Sequence, residues 1–242
     1  MAFDIYAAVT DRIVQQLEKG VVPWRKPWTG VRSGAISGAT GKPYSLLNQM
    51  LLAKDGEWYT WNQIQALGGK VRKGEKSSMV VFWKQAPVKD EDPATDTAAD
   101  AIIAGYIQRS GVELEHRKGD EAFYSPSVDR VVLPLREQFP SMAEYYSTAF
   151  HELTHSTGHS SRLDRISRRA FFGNEDYSRE ELVAEIGAAA LLNHCGIETA
   201  DSFKNSAAYI QSWLRALRND KKLIVRAAGA AAKAFELITG TT

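Results

Sequence analysis

His151-Glu152-Leu153-Thr154-His155 sets two imidazoles four residues apart with a carboxylate between them. On a helix, residues four apart share a face, so both rings can reach one cation. Glu152 is offset from that face, which suits it to hold a water beside the metal and take its proton rather than to ligate. Two histidines leave a zinc site incomplete, because a catalytic zinc takes three protein ligands and keeps one position open. A continuous H-E-x-x-H-x-x-G-x-x-H pattern needs a third histidine at 161, where the chain has Ser161. His159 stands close by, but too near the helix end for that geometry.

The other source of a third ligand is a carboxylate on a second helix. YSREELVAEIGAAALLN, residues 177–193, supplies Glu181 and Glu185 four apart beside the apolar Leu182, Val183, Ile186, Ala189 and Ala190. Glu181 is expected to bind the metal and Glu185 to orient a ligand histidine from behind. The reverse assignment has its own basis: Ser178 and Glu181 form an S-x-x-E capping pattern, and a Glu181 used there leaves Glu185 as the ligand. Both could instead solvate an exposed face, although the stretch is very apolar for that. An N/N/O donor set fits zinc, with manganese or another divalent cation as substitutes. Tyr177 and His159 are the residues near enough in sequence to stabilise an oxyanion.

These residues need elements to hold them. Met142–Phe150 reads as the start of the helix that carries the motif, with Ser141 and Glu144 as a capping pair after Pro140 and Gly158 as its stop. Ala122–Leu133 reads as one strand at a sheet edge, where an extended peptide could pair along the main chain. Residues 202–219 and 221–238 have helical periodicity, with Tyr209, Trp213, Leu214 and Leu217 as core. His116, His194 and Cys195 have no partner at ligand spacing and read as structural.

The first third has a different character. Residues 1–86 hold 12 Lys/Arg against 6 Asp/Glu, while the whole chain is only +1. Five of the six tryptophans lie there: Trp24, Trp28, Trp58, Trp61 and Trp83. Trp24-Arg25-Lys26-Pro27-Trp28 alternates rings and cations, and Lys70, Arg72, Lys73 and Lys76 cluster in a Gly-rich turn before an expected strand Met79–Trp83. Together with Lys42 they form a candidate single-stranded nucleic-acid surface, with rings stacking on bases and cations following phosphates. The competing reading is that the tryptophans fill the core of a small domain.

Pro87–Asp100 has five acids, two prolines and no aromatic residue, so it reads as a linker or loop between a domain at 1–86 and one at 101–242. With 242 residues, 44% apolar and 24% charged, the chain is globular rather than disordered or coiled-coil. It has no run of about 18 apolar residues for a membrane span. Its N-terminus, with Asp4, Asp11 and Glu18, reads as an amphipathic helix rather than a signal peptide. A single cysteine points to the reducing cytoplasm.

Several phrases carry a family resemblance. DIYAAVTDRIVQQLEKGVVPWRKPW, TGKPYSLLN and GGKVRKGEKSSMVVFWK resemble the N-terminal domain of the plasmid-borne ArdC antirestriction proteins. AFYSPSVDRVVLP, YYSTAFHELTHSTGHSSRLDR and YSREELVAEIGAAALL resemble that family's zincin-type metallopeptidase domain. The resemblance implies an α+β chain with a small basic domain that binds single-stranded DNA, followed by a metallopeptidase domain. It also implies protection of incoming plasmid DNA from restriction during conjugation. Glu181-x-x-x-Glu185 looks like the E-x-x-x-D/E pattern of gluzincins, whose first Glu binds zinc, and this favours Glu181. One departure is visible: in the family a further strand-rich segment follows the FWK strand, whereas here the acidic stretch follows at once. Two other functions fit the same residues: a plain metallopeptidase whose basic third recognises a protein, and a DNA-binding protein with a structural or vestigial metal.

Overall fold

A computed structural model describes residues 4–24, 34–81, 96–166, 175–197 and 206–241. The chain begins with helix α1 (Ile5–Glu18), capped by the Asp4 carboxylate, which accepts from the amides of Tyr6 and Ala7. Val9, Ile13 and Leu17 recur every four residues and form its buried stripe. Strand β1 (Ala35–Ser37), helix α2 (Leu46–Leu52), strand β2 (Gly56–Trp58) and helix α3 (Trp61–Ala66) follow, with β1 and β2 parallel.

No strand forms at Met79–Val81, contrary to the sequence expectation, and residues 82 and 83 lie outside the described residues. The buried Asn48 side chain takes the place of a neighbouring strand: its amide nitrogen donates to Val81 O, and its oxygen accepts from Val81 N, both at 2.8 Å. One side chain thus satisfies both backbone groups that a ladder would have used.

Within the expected linker, residues 87–95 are not described, and Asp96–Asp100 already belong to helix α4 (Asp96–Ser110). A mixed sheet comes next: β3 (Glu113–Arg117), β4 (Phe123–Ser125) and β5 (Arg130–Pro134), in the order β3-β5-β4. β5 is central, parallel to β3 and antiparallel to β4. The stretch 122–133 is therefore a hairpin rather than one strand. Residues 126–129 turn the chain, and Asp129 adopts a positive φ of 50°. The edge next to the hairpin belongs to β4, while Val131, Val132 and Leu133 are buried, as a central strand requires.

Helices α5 (Met142–Ser156), α6 (Glu175–His194), α7 (Ser206–Asn219) and α8 (Leu223–Thr239) complete the chain. Two apolar cores are shared among them. One joins Val131 and Leu133 of β5 to Tyr145, Phe150 and Leu153 of α5 and Leu191 of α6. The other joins Val9, Ile13 and Leu17 of α1 to Leu182, Val183 and Ile186 of α6 and to Trp213, Leu217 and Ile224. Residues from 1–86 and from α6–α8 thus bury a common surface, because the stripe of α1 covers the C-terminal helices. Among the described residues no helix is long and apolar enough to cross a membrane.

Candidate metal centre

α5 starts where its sequence says it should: the Ser141 hydroxyl accepts from the Glu144 amide at 3.2 Å. Its other end is held by two arginines from the following loop. Arg162 Nε donates to Ser156 O at 2.8 Å, and Arg165 donates to Thr154 O at 3.0 Å and to the Thr157 hydroxyl at 2.9 Å. Carbonyls that a helix C-terminus leaves without partners are satisfied in this way. Arg162 also binds Asp129 and the Tyr124 hydroxyl, which fastens the β4–β5 hairpin to the end of the motif helix. Arg162 and Tyr124 hold the Asp129 carboxyl below its ordinary range against the effect of burial.

α6 packs closely on α5 through small residues. A Cβ at Gly187 would lie 2.6 Å from Thr154 Cγ2, and Ala184 and Ala188 are buried beside it. This approach brings three carboxylates to the two histidines. Glu181 Oε2 is 3.6 Å from His151 Nε2, and Glu181 Oε1 is 3.4 Å from His155 Nε2. The two Nε2 atoms are 3.1 Å apart. Behind the rings, Glu185 Oε1 lies 3.8 Å from His151 Nδ1, and Glu180 Oε1 lies 3.5 Å from His155 Nδ1. Glu152 is buried on the same helix.

The donor set has the shape of a cation site. One ligand atom from each of His151, His155 and Glu181 lies within 4.8 Å of the others, and among the described residues no other such cluster forms. Two nitrogens held at ~2.0–2.1 Å by one tetrahedral ion sit ~3.3–3.4 Å apart, close to the separation found here. The electrostatics point the same way. Burial disfavours a charged His155, yet the Glu180 and Glu181 carboxylates outweigh it and raise the imidazole to about 10. Glu181 is driven far below the ordinary carboxylate range by the two histidines despite its burial. Positive charge is favoured at this point.

The capping alternative for Glu181 does not arise, because α6 begins at Glu175 and places Ser178 inside the helix. Tyr177 lies in the first turn of α6, and its side chain falls outside the described residues. His159 is not drawn into the cluster; its Nδ1 faces the Ser161 hydroxyl at 2.8 Å and accepts from the Ser161 amide. His116 bonds Tyr145, His194 packs edge-on against Phe235, and Cys195 is buried. Glu180 and Arg165 escaped the sequence reading. The only signal for Glu180 was its place beside Glu181.

In the basic third, Arg25, Lys26 and Trp28 lie outside the described residues. Lys42, Lys70, Arg72, Lys73 and Lys76 are exposed. Trp24, expected to stack on bases, is instead 5% exposed and meets Trp213 edge-on at 5.2 Å. The reason is the common core: the indole is spent on covering α7. Trp61, by contrast, is 60% exposed at the start of α3.

Comparison with known proteins fixes the family. Residues 99–230 match the model of a zincin-like metallopeptidase, and residues 3–120 match the N-terminal domain of anti-restriction factor ArdC. The crystal structure of the antirestriction ArdC protein from plasmid R388, in its Mn(II)-bound form, superposes with a TM-score of 0.81 at 36% identity, covering 99% of this chain and 98% of that one. This chain belongs to the ArdC antirestriction family. The metal-free form of the same ArdC protein gives a TM-score of 0.76. The uncharacterized protein y4eC of Sinorhizobium fredii is 32% identical over 94% of this chain and 89% of its own length. A DNA primase TraC of Escherichia coli is 33% identical over 96% of this chain, which spans 20% of that relative's length. That alignment runs over 286 positions against 242 residues here, so the primase carries segments that this ArdC-family chain lacks. An ArdC relative holding Mn(II) accords with a divalent cation at the cluster.

Proposed function

We propose that this ArdC-family chain is an antirestriction protein that binds single-stranded DNA through its basic third and hydrolyses peptide bonds through a zinc site formed by His151, His155 and Glu181. The observation that carries the reading is the convergence of both Nε2 atoms on Glu181 while both Nδ1 atoms face other carboxylates. Such an arrangement turns the metal-binding nitrogens toward one point and keeps them there.

His151, His155 and Glu181 would hold the divalent ion, which when bound would lower the pKa of a water to ~7 and polarise a substrate carbonyl. Glu152 accepts the proton of the attacking water and passes it to the departing amine. Tyr177 and His159 are the donors proposed for the developing oxyanion. An extended peptide pairs along the open edge of β4, next to the motif helix. The DNA-binding surface is assigned to the exposed Lys42, Lys70, Arg72, Lys73 and Lys76, with Trp61 taking the stacking role first given to Trp24.

Two measurements on the purified chain test the reading. Metal analysis after dialysis should find about one divalent ion per chain, and a zinc-loaded sample should cleave an unfolded protein substrate with Glu152→Gln inactive. A fluorescent single-stranded oligonucleotide should bind at ~50 mM salt and weaken steeply as salt rises. A chain that retains no metal loses the first half of the proposal, and one that leaves the oligonucleotide free loses the second.

A further inference from the structure

Arg165 reaches in two directions from the loop after α5. Toward α5 it donates to Thr154 O and the Thr157 hydroxyl. Toward α6 it makes a two-pronged contact with Glu180, Nη2 to Oε1 at 2.8 Å and Nε to Oε2 at 3.2 Å. The same Glu180 Oε1 faces His155 Nδ1 at 3.5 Å. Both charged side chains are largely buried, at 14% and 15% exposure.

We infer that Arg165 and Glu180 are positioning residues: Arg165 pins the Glu180 carboxylate against His155 Nδ1, so that the ring keeps its proton there and presents Nε2 to the metal. The inference rests on the proposed metal site and extends it to two residues outside the ligand set. The physical need for Arg165 follows from crowding. Glu152, Glu180, Glu181 and Glu185 place four carboxylates around two imidazoles. A carboxylate with both oxygens engaged by a guanidinium cannot swing round to compete for the ion, and its direction is set by a planar fork. Glu185 stands at the corresponding place behind His151, 3.8 Å from its Nδ1.

The test uses zinc as the probe on the full chain. Zinc affinity is measured by chelator competition for the wild type and for Glu180→Leu, Glu180→Gln and Arg165→Met, with Glu181→Gln as the ligand control. Glu180→Leu and Arg165→Met should each lose ~10–100-fold in affinity, the range for such supporting groups. The double variant should lose no more than the worse single one, because the two act through one contact chain. Glu180→Gln keeps an acceptor and should lose less. In zinc-loaded, ¹⁵N-histidine-labelled protein, the His155 Nδ1–H should exchange slowly with water in the wild type and rapidly in Glu180→Leu and Arg165→Met. Should Glu180→Leu not fold, Glu180→Gln and Arg165→Met decide the matter by the same two readouts. Wild-type affinity and slow exchange retained in the variants that fold would overturn the inference while leaving the metal site intact. A wild type that binds no zinc would instead overturn the metal site itself.

Discussion

Gly187 of α6 presses on Thr154 of α5 so closely that a Cβ at that glycine would stand 2.6 Å from the threonine methyl. Thr154 lies between Glu152 and His155, so the spacing of the helices that carry His155 and Glu181 is set within one turn of the candidate site. Gly187→Ala should therefore cost ~1–3 kcal/mol of stability by overpacking and weaken zinc binding as Glu181 is pushed away. Thr154→Ser removes the methyl and keeps the hydroxyl that bonds Phe150 O. The double variant should recover only part of both losses, because the retained hydroxyl oxygen would still stand 2.9 Å from the new Cβ, and urea midpoints with and without zinc provide the check.

Metal binding at the proposed site should displace a proton from His155, whose imidazole the neighbouring carboxylates raise. With His155 raised to about 10 and Glu181 ionised well into the acid range, zinc binding at pH 7 should release about one proton. Calorimetric titration in two buffers of different ionisation enthalpy counts that proton, and a count of zero contradicts the site electrostatics. The metal-free protein carries the linked effect. The folded value lies above the unfolded ~6.5, so this contribution to stability is complete below pH ~6.5 and is lost as pH rises toward ten.

Arg162 is 6% exposed and joins Asp129, Tyr124 and the end of α5. Arg162→Met leaves the Asp129 carboxylate and the Ser156 carbonyl without that partner and should destabilise the fold by ~3–5 kcal/mol. Asp129 has a lowered carboxyl pKa in the folded chain, so its contribution is present above the unfolded value of ~3.9 and is lost as pH falls through the folded one. Acid titration of stability should consequently be shallower in Asp129→Asn than in the wild type.

The two tryptophans of the basic third should separate cleanly. Trp61→Ala should leave thermal stability nearly unchanged and weaken single-strand binding by ~1–3 kcal/mol, the range for one stacked base. Trp24→Ala should instead cost ~3–5 kcal/mol of stability through the cavity it opens against Trp213. Thermal melts and oligonucleotide titrations on the same preparations distinguish the outcomes.

The motif helix could be read directly because spacing, cap and stop agree: His151 and His155 share a face, Ser141 caps, and α5 ends at Ser156, two residues before Gly158. The E-x-x-x-E phrase likewise led to a helix that faces it. What composition could not convey was which side of a residue meets the core. Trp24 and Trp61 look alike in the sequence and end in opposite surroundings, since the burial of Trp24 depends on α7, nearly two hundred residues away. The hairpin at 122–133 was hidden by the apolar run of β5, which masked the turn residues Pro126–Asp129. Arg165 and Glu180 were invisible for a third reason: their pairing joins a loop to a helix, and no periodicity registers such a contact.

α6 lines the cation cluster along one flank and lends Leu182, Val183 and Ile186 to the α1 core along another. Cutting the chain ahead of residue 99 would therefore strip a greasy flank bare on the very rod that carries Glu181. A fragment made that way should clump or melt rather than fold by itself, so the two halves of this polypeptide have to be studied as one piece.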